Sequence, residues 1–223
     1  MKRESMAKHY KLIVFDWDGT LMDSAAAIVG ALQSACRDLA IEPPSETQAR
    51  HVIGLGLQDA LQKAVPALPL DRYRDLTERY RYHYLAHDHE LTLFDGIPDL
   101  IRLLGEAGFL LAVATGKSRV GLDRALRDSG LRTSFHASRC ADECHSKPHP
   151  QMLVELMEEF DVAPAKTLMI GDTTHDLLMA RNADVPALAV AYGAHPRAVL
   201  EAEQPLCCVA DVAEMRTWLL QNA

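Results

Sequence analysis

The sequence predicts an α/β protein with a Rossmann-like, doubly wound parallel sheet and an inserted all-helical domain. Two observations predict the core: short apolar runs alternate with helical patterns along most of the chain, and those runs are apolar at consecutive positions. Such alternation is typical of βαβ units, and consecutive apolar residues indicate strands covered by helices on both faces. A third observation predicts the insertion, because one long stretch after the first run contains helical patterns only.

Each predicted strand is an apolar run that ends in a turn or in polar residues. Clear runs cover 11–16, 109–115, 167–171 and 187–191, and weaker runs cover 134–138 and 206–210. Helices are predicted between them, as where Pro98 and Gly108 bracket apolar residues at helical spacing. The other core helices are predicted over 118–129, after Pro150, and from Thr173 or Thr174 to Asn182.

The stretch over 24–91 departs from this alternation. Its apolar residues mark one helix that ends before Pro43-Pro44, a second over 58–65 and a third over 71–87. We therefore predict two parts, a core made of 1–23 and 92–223 and a helical insertion made of 24–91.

The composition is that of a globular protein with an acidic surface. Asp and Glu number 31 against 23 Lys and Arg, for a net charge of −8, which argues against a protein that binds nucleic acid or anionic membranes. No segment approaches the ~18 apolar residues of a membrane helix. No secretory leader pattern opens the chain, so we expect a cytoplasmic enzyme. Five irregularly spaced cysteines predict reduced thiols rather than a disulfide framework.

Two of the predicted strands end in pairs of carboxylates. Asp16 and Asp18 close the first strand, and Asp172 and Asp176 follow the strand over 167–171. Because ligands bind beyond the carboxyl ends of parallel strands, we expect these groups to lie at one site. Carboxylates without cysteine or histidine favour a hard cation such as Mg²⁺.

Groups suited to an anion stand at two other predicted boundaries. Thr115 and Gly116 close the strand over 109–115 and offer a hydroxyl and the amides of a helix N-terminus. Lys147 stands before another predicted helix and offers a positive charge. The sequence therefore predicts a site for one phosphate and one cation.

These residues, in this order, resemble the four motifs of the haloacid dehalogenase (HAD) superfamily, most closely its phosphoglycolate phosphatase-like branch. The first motif is Asp16-Trp17-Asp18-Gly19-Thr20-Leu21, and the others rest on Thr115, on Lys147, and on Gly171-Asp172 with Asp176. The resemblance covers nearly the whole chain, and the insertion over 24–91 resembles the helical cap of that branch. It implies a Mg²⁺-dependent phosphatase that acts on a small phosphorylated metabolite, as a monomer or a homodimer.

The resemblance implies a chemical role for three carboxylates. Asp16 would be the nucleophile that forms an aspartyl-phosphate, and Asp18 would be the general acid and then the general base. The Mg²⁺ ligands would be Asp16, the backbone carbonyl of Asp18, and Asp172.

Binding of the phosphoryl group is implied for a second set of residues. Thr115 and the Gly116 amide would hold the phosphoryl oxygens, and Lys147 would neutralise their charge. Asp176 would orient Lys147 or a water molecule on the metal.

The cap loop over 50–59 is the segment that the resemblance places above the site, with Arg50, Gly56 and Leu57 as its predicted substrate contacts. Related loops often carry Asn where Leu55 stands, and some relatives have a basic cap residue where this loop offers Leu57. The apolar loop therefore predicts a preference for small, weakly charged phosphate esters.

Alternatives stay open at this point. A cap-bearing phosphomutase shares all four motifs, whereas a catalytically silent binding module would be expected to lose Asp16, Lys147 or Asp172. Thr173, Thr174 and Asp176 could serve only as helix-capping residues. Weaker candidates for another metal site are His83 with His87 and Cys140 with Cys144.

Overall fold

A computed structural model describes residues 9–223, which fold around a six-stranded parallel sheet. The strands are β1 (Leu12–Phe15), β2 (Leu110–Thr115), β3 (Ala137–Cys140), β4 (Thr167–Gly171), β5 (Ala187–Val190) and β6 (Cys207–Val209). Their order is β3-β2-β1-β4-β5-β6, so the chain winds outward from β1 to one edge and then to the other. The reversal lies between β1 and β4, which places a ligand crevice at the carboxyl ends of these strands.

Helices cover both faces of the sheet, as predicted. They are α1 (Ala25–Asp38), α2 (Glu46–His51), α3 (Leu57–Ala64), α4 (Tyr73–His87), α5 (Ile97–Glu106), α6 (Arg119–Asp128), α7 (Gln151–Phe160), α8 (Thr174–Asn182), α9 (Arg197–Ala202) and α10 (Val212–Asn222). Side chains of β1 alternate between the faces: Ile13 and Phe15 pack with α5, α6 and α10, whereas Leu12 and Val14 pack with α7 and α8. All four side chains are fully buried, which explains the uninterrupted apolar run of β1.

Helices α1 to α4 form the inserted all-helical cap. Leu32, Leu61 and Leu76 belong to a hydrophobic cluster that the cap helices share, and among the described residues this cluster takes only Ala194 from the core. The longest pair, α1 and α4, pack against each other. The first cap helix begins nine residues after Asp16, at Ala25, so the cap is connected directly to the end of β1.

The structure differs from the predicted elements in two respects. Strand β3 lies at Ala137–Cys140 rather than over 134–138, because pairing of Ala137 with Ala112 and of Cys140 with Thr115 fixes its register. Helices α2, α9 and α10 were not among the predicted elements, and α2 and α9 have only six residues each, too few to show a helical period. None of the helices within 9–223 is long and apolar enough to cross a membrane.

Candidate active site

The ends of β1 and β4 bring the predicted carboxylates together. Asp16 continues the pairing of the two strands, since its backbone N–H donates to the Ile170 carbonyl at 2.9 Å. Asp16, Asp172 and Asp176 are fully buried, and one carboxylate oxygen of each lies within 4.8 Å of the others. Three carboxylates at this separation repel one another unless cations compensate their charge.

Lys147 supplies one of these cations. Its ammonium group donates to Asp16 Oδ1 at 2.7 Å and to Asp176 Oδ1 at 2.6 Å, and the side chain is fully buried. Burial alone would lower the pKa of Lys147, but the two carboxylates outweigh burial and hold that pKa above its ordinary value. Lys147 therefore bridges β1 and the start of α8.

Asp176 serves as a helix cap and as a partner of Lys147 at once. Its Oδ2 accepts hydrogen bonds from the Thr173 backbone N–H at 3.0 Å and from the Thr173 hydroxyl at 2.7 Å, while the Thr173 hydroxyl accepts from the Asp176 N–H. This capping box fixes the start of α8. Both oxygens of Asp176 are thus occupied by protein donors, and the group holds Lys147 in place.

Asp172 is held in a pocket made by small residues. Its Oδ1 accepts from the Thr20 hydroxyl at 2.8 Å and its Oδ2 from the Ala194 N–H at 2.7 Å. A Cβ atom at Gly19 or at Gly193 would lie against this carboxylate, and Gly19 also has a φ of 82°, so glycine is required there. The glycine of the first motif therefore makes room for Asp172.

The donor set suits a divalent cation. Asp16 Oδ2 is buried and has no hydrogen-bond partner among the described residues. Burial raises the pKa of Asp16 well above its ordinary value, even though the nearby charge of Lys147 acts to lower it. Burial, together with repulsion from Asp176, also raises the pKa of Asp172. A cation bound by these oxygens would offset both the missing partner and the repulsion.

Asp18 is held by residues that the sequence did not point to. Its Oδ1 accepts from the Ser24 hydroxyl at 2.7 Å and lies 3.0 Å from the Lys117 ammonium group. Lys117 also donates to the Tyr84 hydroxyl at 2.8 Å, so a residue of cap helix α4 is tied to the predicted general acid. Burial would lower the pKa of Lys117, but the Asp18 carboxylate and Tyr84 hold it above its ordinary value.

Thr115 and Gly116 lie where β2 meets the cap. The Thr115 side chain is buried, and its hydroxyl accepts from the Lys117 backbone N–H at 3.2 Å. A Cβ atom at Gly116 would be 2.7 Å from the Gly54 carbonyl oxygen and closer still to that of Leu55. Gly116 therefore permits close approach of the cap loop to the core.

A cavity of about 800 Å³ separates the cap from the strand ends. Its floor includes Asp16, Asp18, Thr115 and Gly116, and its cap side is mostly apolar or aromatic: Ile28, Leu32, Leu55, Leu57, Tyr80, Tyr84 and Leu85. Among the predicted substrate contacts, Gly56 and Leu57 line the cavity. Arg50, which is also described, lies outside this lining and forms an ion pair with Glu46 at 2.9 Å.

Basic side chains reach the cavity from other elements. Lys117, Arg81 of α4 and Arg124 of α6 are among the lining residues. Arg124 is paired with Asp88 at 2.7 Å, and Lys117 with Asp18. The loop sequence alone could not reveal these cations, because they lie far from 50–59 along the chain and meet it only in the fold.

The family model for haloacid dehalogenase-like hydrolases matches residues 13–190, which include each of these strand ends. The chain belongs to this family. A protein of Dickeya dadantii named probable phosphatase IndB is 35% identical over 92% of this chain and 91% of its own length. A phosphoglycolate phosphatase of Agrobacterium fabrum is 30% identical over 95% of this chain and 93% of its own.

Solved structures of the family share the fold. The crystal structure of a predicted phosphoglycolate phosphatase from Haemophilus somnus matches with a TM-score of 0.84 and 25% identity, over 94% of this chain and 98% of that one. The predicted resemblance to the phosphoglycolate phosphatase-like branch, and with it the prediction of a hydrolase, is confirmed.

The weaker metal candidates do not form clusters in this HAD hydrolase. His83 Nε2 lies 2.8 Å from Asp38 Oδ2, and His87 lies near Glu90 on the cap surface. All five cysteines are free. Within residues 9–223, the one group of three or more candidate ligand residues is that of Asp16, Asp172 and Asp176.

Proposed function

We propose that this hydrolase is a Mg²⁺-dependent phosphatase that cleaves small-molecule phosphate monoesters through an aspartyl-phosphate on Asp16. The observation that carries the proposal is the arrangement of Asp16 itself. One carboxylate oxygen is held by Lys147 and the other is buried without a partner, at the floor of a cavity that also exposes Asp18. Such a carboxylate is oriented for attack and has a second carboxylate beside it for proton transfer.

Charge balance supports the cation. Four carboxylates, those of Asp16, Asp18, Asp172 and Asp176, face two ammonium groups, so a divalent ion would neutralise the excess. Asp16, with its Oδ2 unpartnered among the described residues, Asp172 and the backbone carbonyl of Asp18 would hold it, while Asp176 keeps Lys147 in place. When bound, Mg²⁺ supplies positive charge that offsets the repulsion between a phosphate dianion and the Asp16 carboxylate.

The protein groups then account for both steps. Asp16 attacks phosphorus, a bond from its carboxylate oxygen to phosphorus forms, and the bond to the leaving oxygen breaks as Asp18 donates a proton to it. A water molecule then gives a proton to Asp18 and attacks phosphorus, which releases inorganic phosphate and restores Asp16. Thr115 and the Gly116 amide hold the phosphoryl oxygens, and Lys147 balances their charge. Lys117, 3.0 Å from Asp18 Oδ1, holds this carboxyl group in position for both transfers.

The cap lining supports a leaving group that is largely neutral. Leu55 and Leu57 offer no partner for a second charged group, and burial of such a group without a partner would cost several kcal/mol. Of the three cations in the lining, Lys117 and Arg124 are already paired with Asp18 and Asp88, and Arg81 is exposed to solvent. We therefore propose small, weakly charged esters as substrates, and residues 24–91 as the cap that selects among them.

The test is phosphate release from a panel of metabolite monoesters, measured with Mg²⁺ and again after chelation, in wild type and in the Asp16→Asn variant. We expect release with Mg²⁺ only, and none from the variant. A cap-bearing phosphomutase would instead convert sugar phosphates to isomers without free phosphate, so product analysis of the same reactions separates the two. Absence of both activities across the panel would favour a binding module and overturn the proposal.

A further inference from the structure

Three histidines meet where the cap loop joins the core. His51 is the last residue of α2 in the cap, His175 lies in the first turn of α8, and His195 follows β5. The His51 and His195 rings are stacked with centroids 5.2 Å apart, and the His175 ring lies 5.7 Å from that of His51. His175 and His195 are both buried, and neither takes part in the chemistry proposed above.

Both core histidines bind one backbone atom of the cap. His175 Nε2 donates to the His51 carbonyl oxygen at 2.8 Å, and His195 Nε2 approaches the same oxygen at 3.3 Å. His195 Nδ1 accepts from the Thr174 backbone N–H at 3.1 Å, so its hydrogen lies on Nε2 and points to the cap. The carbonyls at the end of a helix have no partner within the helix and carry partial negative charge, which favours two donors there.

The two histidines sit on the segments that hold the acidic cluster. The His195 backbone N–H donates to the Asp172 carbonyl at 3.3 Å, and the preceding residue, Ala194, donates to the Asp172 carboxylate. His175 directly precedes Asp176. On the cap side, the part of the cap loop over 52–57, which ends at the first residue of α3, begins immediately after His51 and forms part of the cavity wall.

We propose that His175 and His195 are positioning residues: with the His51 carbonyl they form a latch that holds the cap loop over 52–57 closed on the Asp16 site. The inference rests on the proposed function for its catalytic readout. The latch binds a backbone oxygen, so it does not depend on the side chain at position 51. It acts together with the Ser146 hydroxyl, which accepts from the Gly56 N–H at 2.8 Å further along the loop.

A matched pair of substitutions at His175 tests the latch. Gln places an amide N–H close to the position of Nε2, whereas Asn is too short to reach the His51 carbonyl. We expect His175→Asn to speed amide hydrogen exchange over 52–57 and to lower kcat/KM about fivefold, as one lost hydrogen bond would. His175→Gln should restore both values, and His51→Ala should leave exchange within about twofold of wild type.

His195→Asn provides an independent variant, because its side-chain oxygen can still accept from the Thr174 N–H while its donor no longer reaches the cap. It should reproduce the faster exchange of His175→Asn. Equal exchange over 52–57 in wild type and both Asn variants would overturn the latch, as would equal losses in the Asn and Gln variants. Exchange is measured without substrate, so it decides the latch even if no phosphatase activity is found.

Discussion

The backbone at Gly116 passes so close to the cap loop that a single methyl group should hold the cap open. An alanine Cβ there would lie 2.7 Å from the Gly54 carbonyl oxygen and closer to that of Leu55, both of them backbone atoms that cannot rotate away. Gly116 is not among the described glycines with positive φ, so Gly116→Ala adds bulk without backbone strain. The loop would have to retreat by about 1 Å to restore van der Waals contact.

The expected loss follows from that displacement. Overpacking of this kind costs ~1–3 kcal/mol, and a shift of about 1 Å at a site can cost ~10²-fold in rate. We expect Gly116→Ala to lower kcat/KM by roughly 10-fold to 100-fold, although the Gly116 amide is still present to bind the phosphoryl group. The assay is steady-state phosphate release, with thermal unfolding measured on the same preparation.

Gly30→Ala is the matched control in the cap. No atom lies within 4 Å of a Cβ built at Gly30, in the middle of α1. Alanine there should stabilise the protein by ~0.5–1 kcal/mol through helix propensity and leave kcat/KM unchanged. If Gly116→Ala retains kcat/KM within about twofold of wild type, turnover does not require the close approach of the cap loop to the core, and the prediction is wrong.

Three further substitutions probe the chemistry and the selectivity. Asp16→Asn should abolish both phosphate release and the trapped phosphoenzyme. Its Tm without Mg²⁺ should not fall much, because a neutral amide relieves repulsion within the buried carboxylate cluster. A variant that keeps a tenth of the wild-type rate would refute covalent catalysis. Asp18→Asn should slow hydrolysis of alkyl phosphates by ~10²–10⁴-fold. It should slow phosphoenzyme formation from p-nitrophenyl phosphate less, because that leaving group needs little protonation. Equal slowing with the two substrates would limit Asp18 to metal binding. Leu57→Arg should shift kcat/KM toward 2-phosphoglycolate over neutral sugar phosphates; an unchanged ratio would show that the loop does not select the substrate.

Local patterns in the sequence were sufficient for most elements of the core. The fully buried β1 and the capped helix α6 each follow from a run or a capping residue that acts over a few positions, and Ser118 does cap α6 by accepting from the Gly121 N–H. Strand β3 was displaced because it is an edge strand of mixed polarity, whose ends depend on its pairing with β2 rather than on its own residues. Helices of six residues such as α2 gave no periodic signal.

The motif residues were identified from the sequence because each follows or precedes a recognisable element, and parallel strands bring their ends to one edge. The sequence did not identify Lys117 or Tyr84 as partners around Asp18, nor His175 and His195 as ligands of a cap carbonyl. It also favoured Arg50 as a substrate contact, whereas the fold turns that side chain toward Glu46.

The sequence by itself thus determined most of the strands, their polar ends and the family, since these depend on short-range spacing and residue type. Only the tertiary structure decided which charges neutralise one another and which cap atoms touch the core. Those contacts join residues from separate elements, and their energies depend on burial and on distances of about 3 Å that no local pattern encodes.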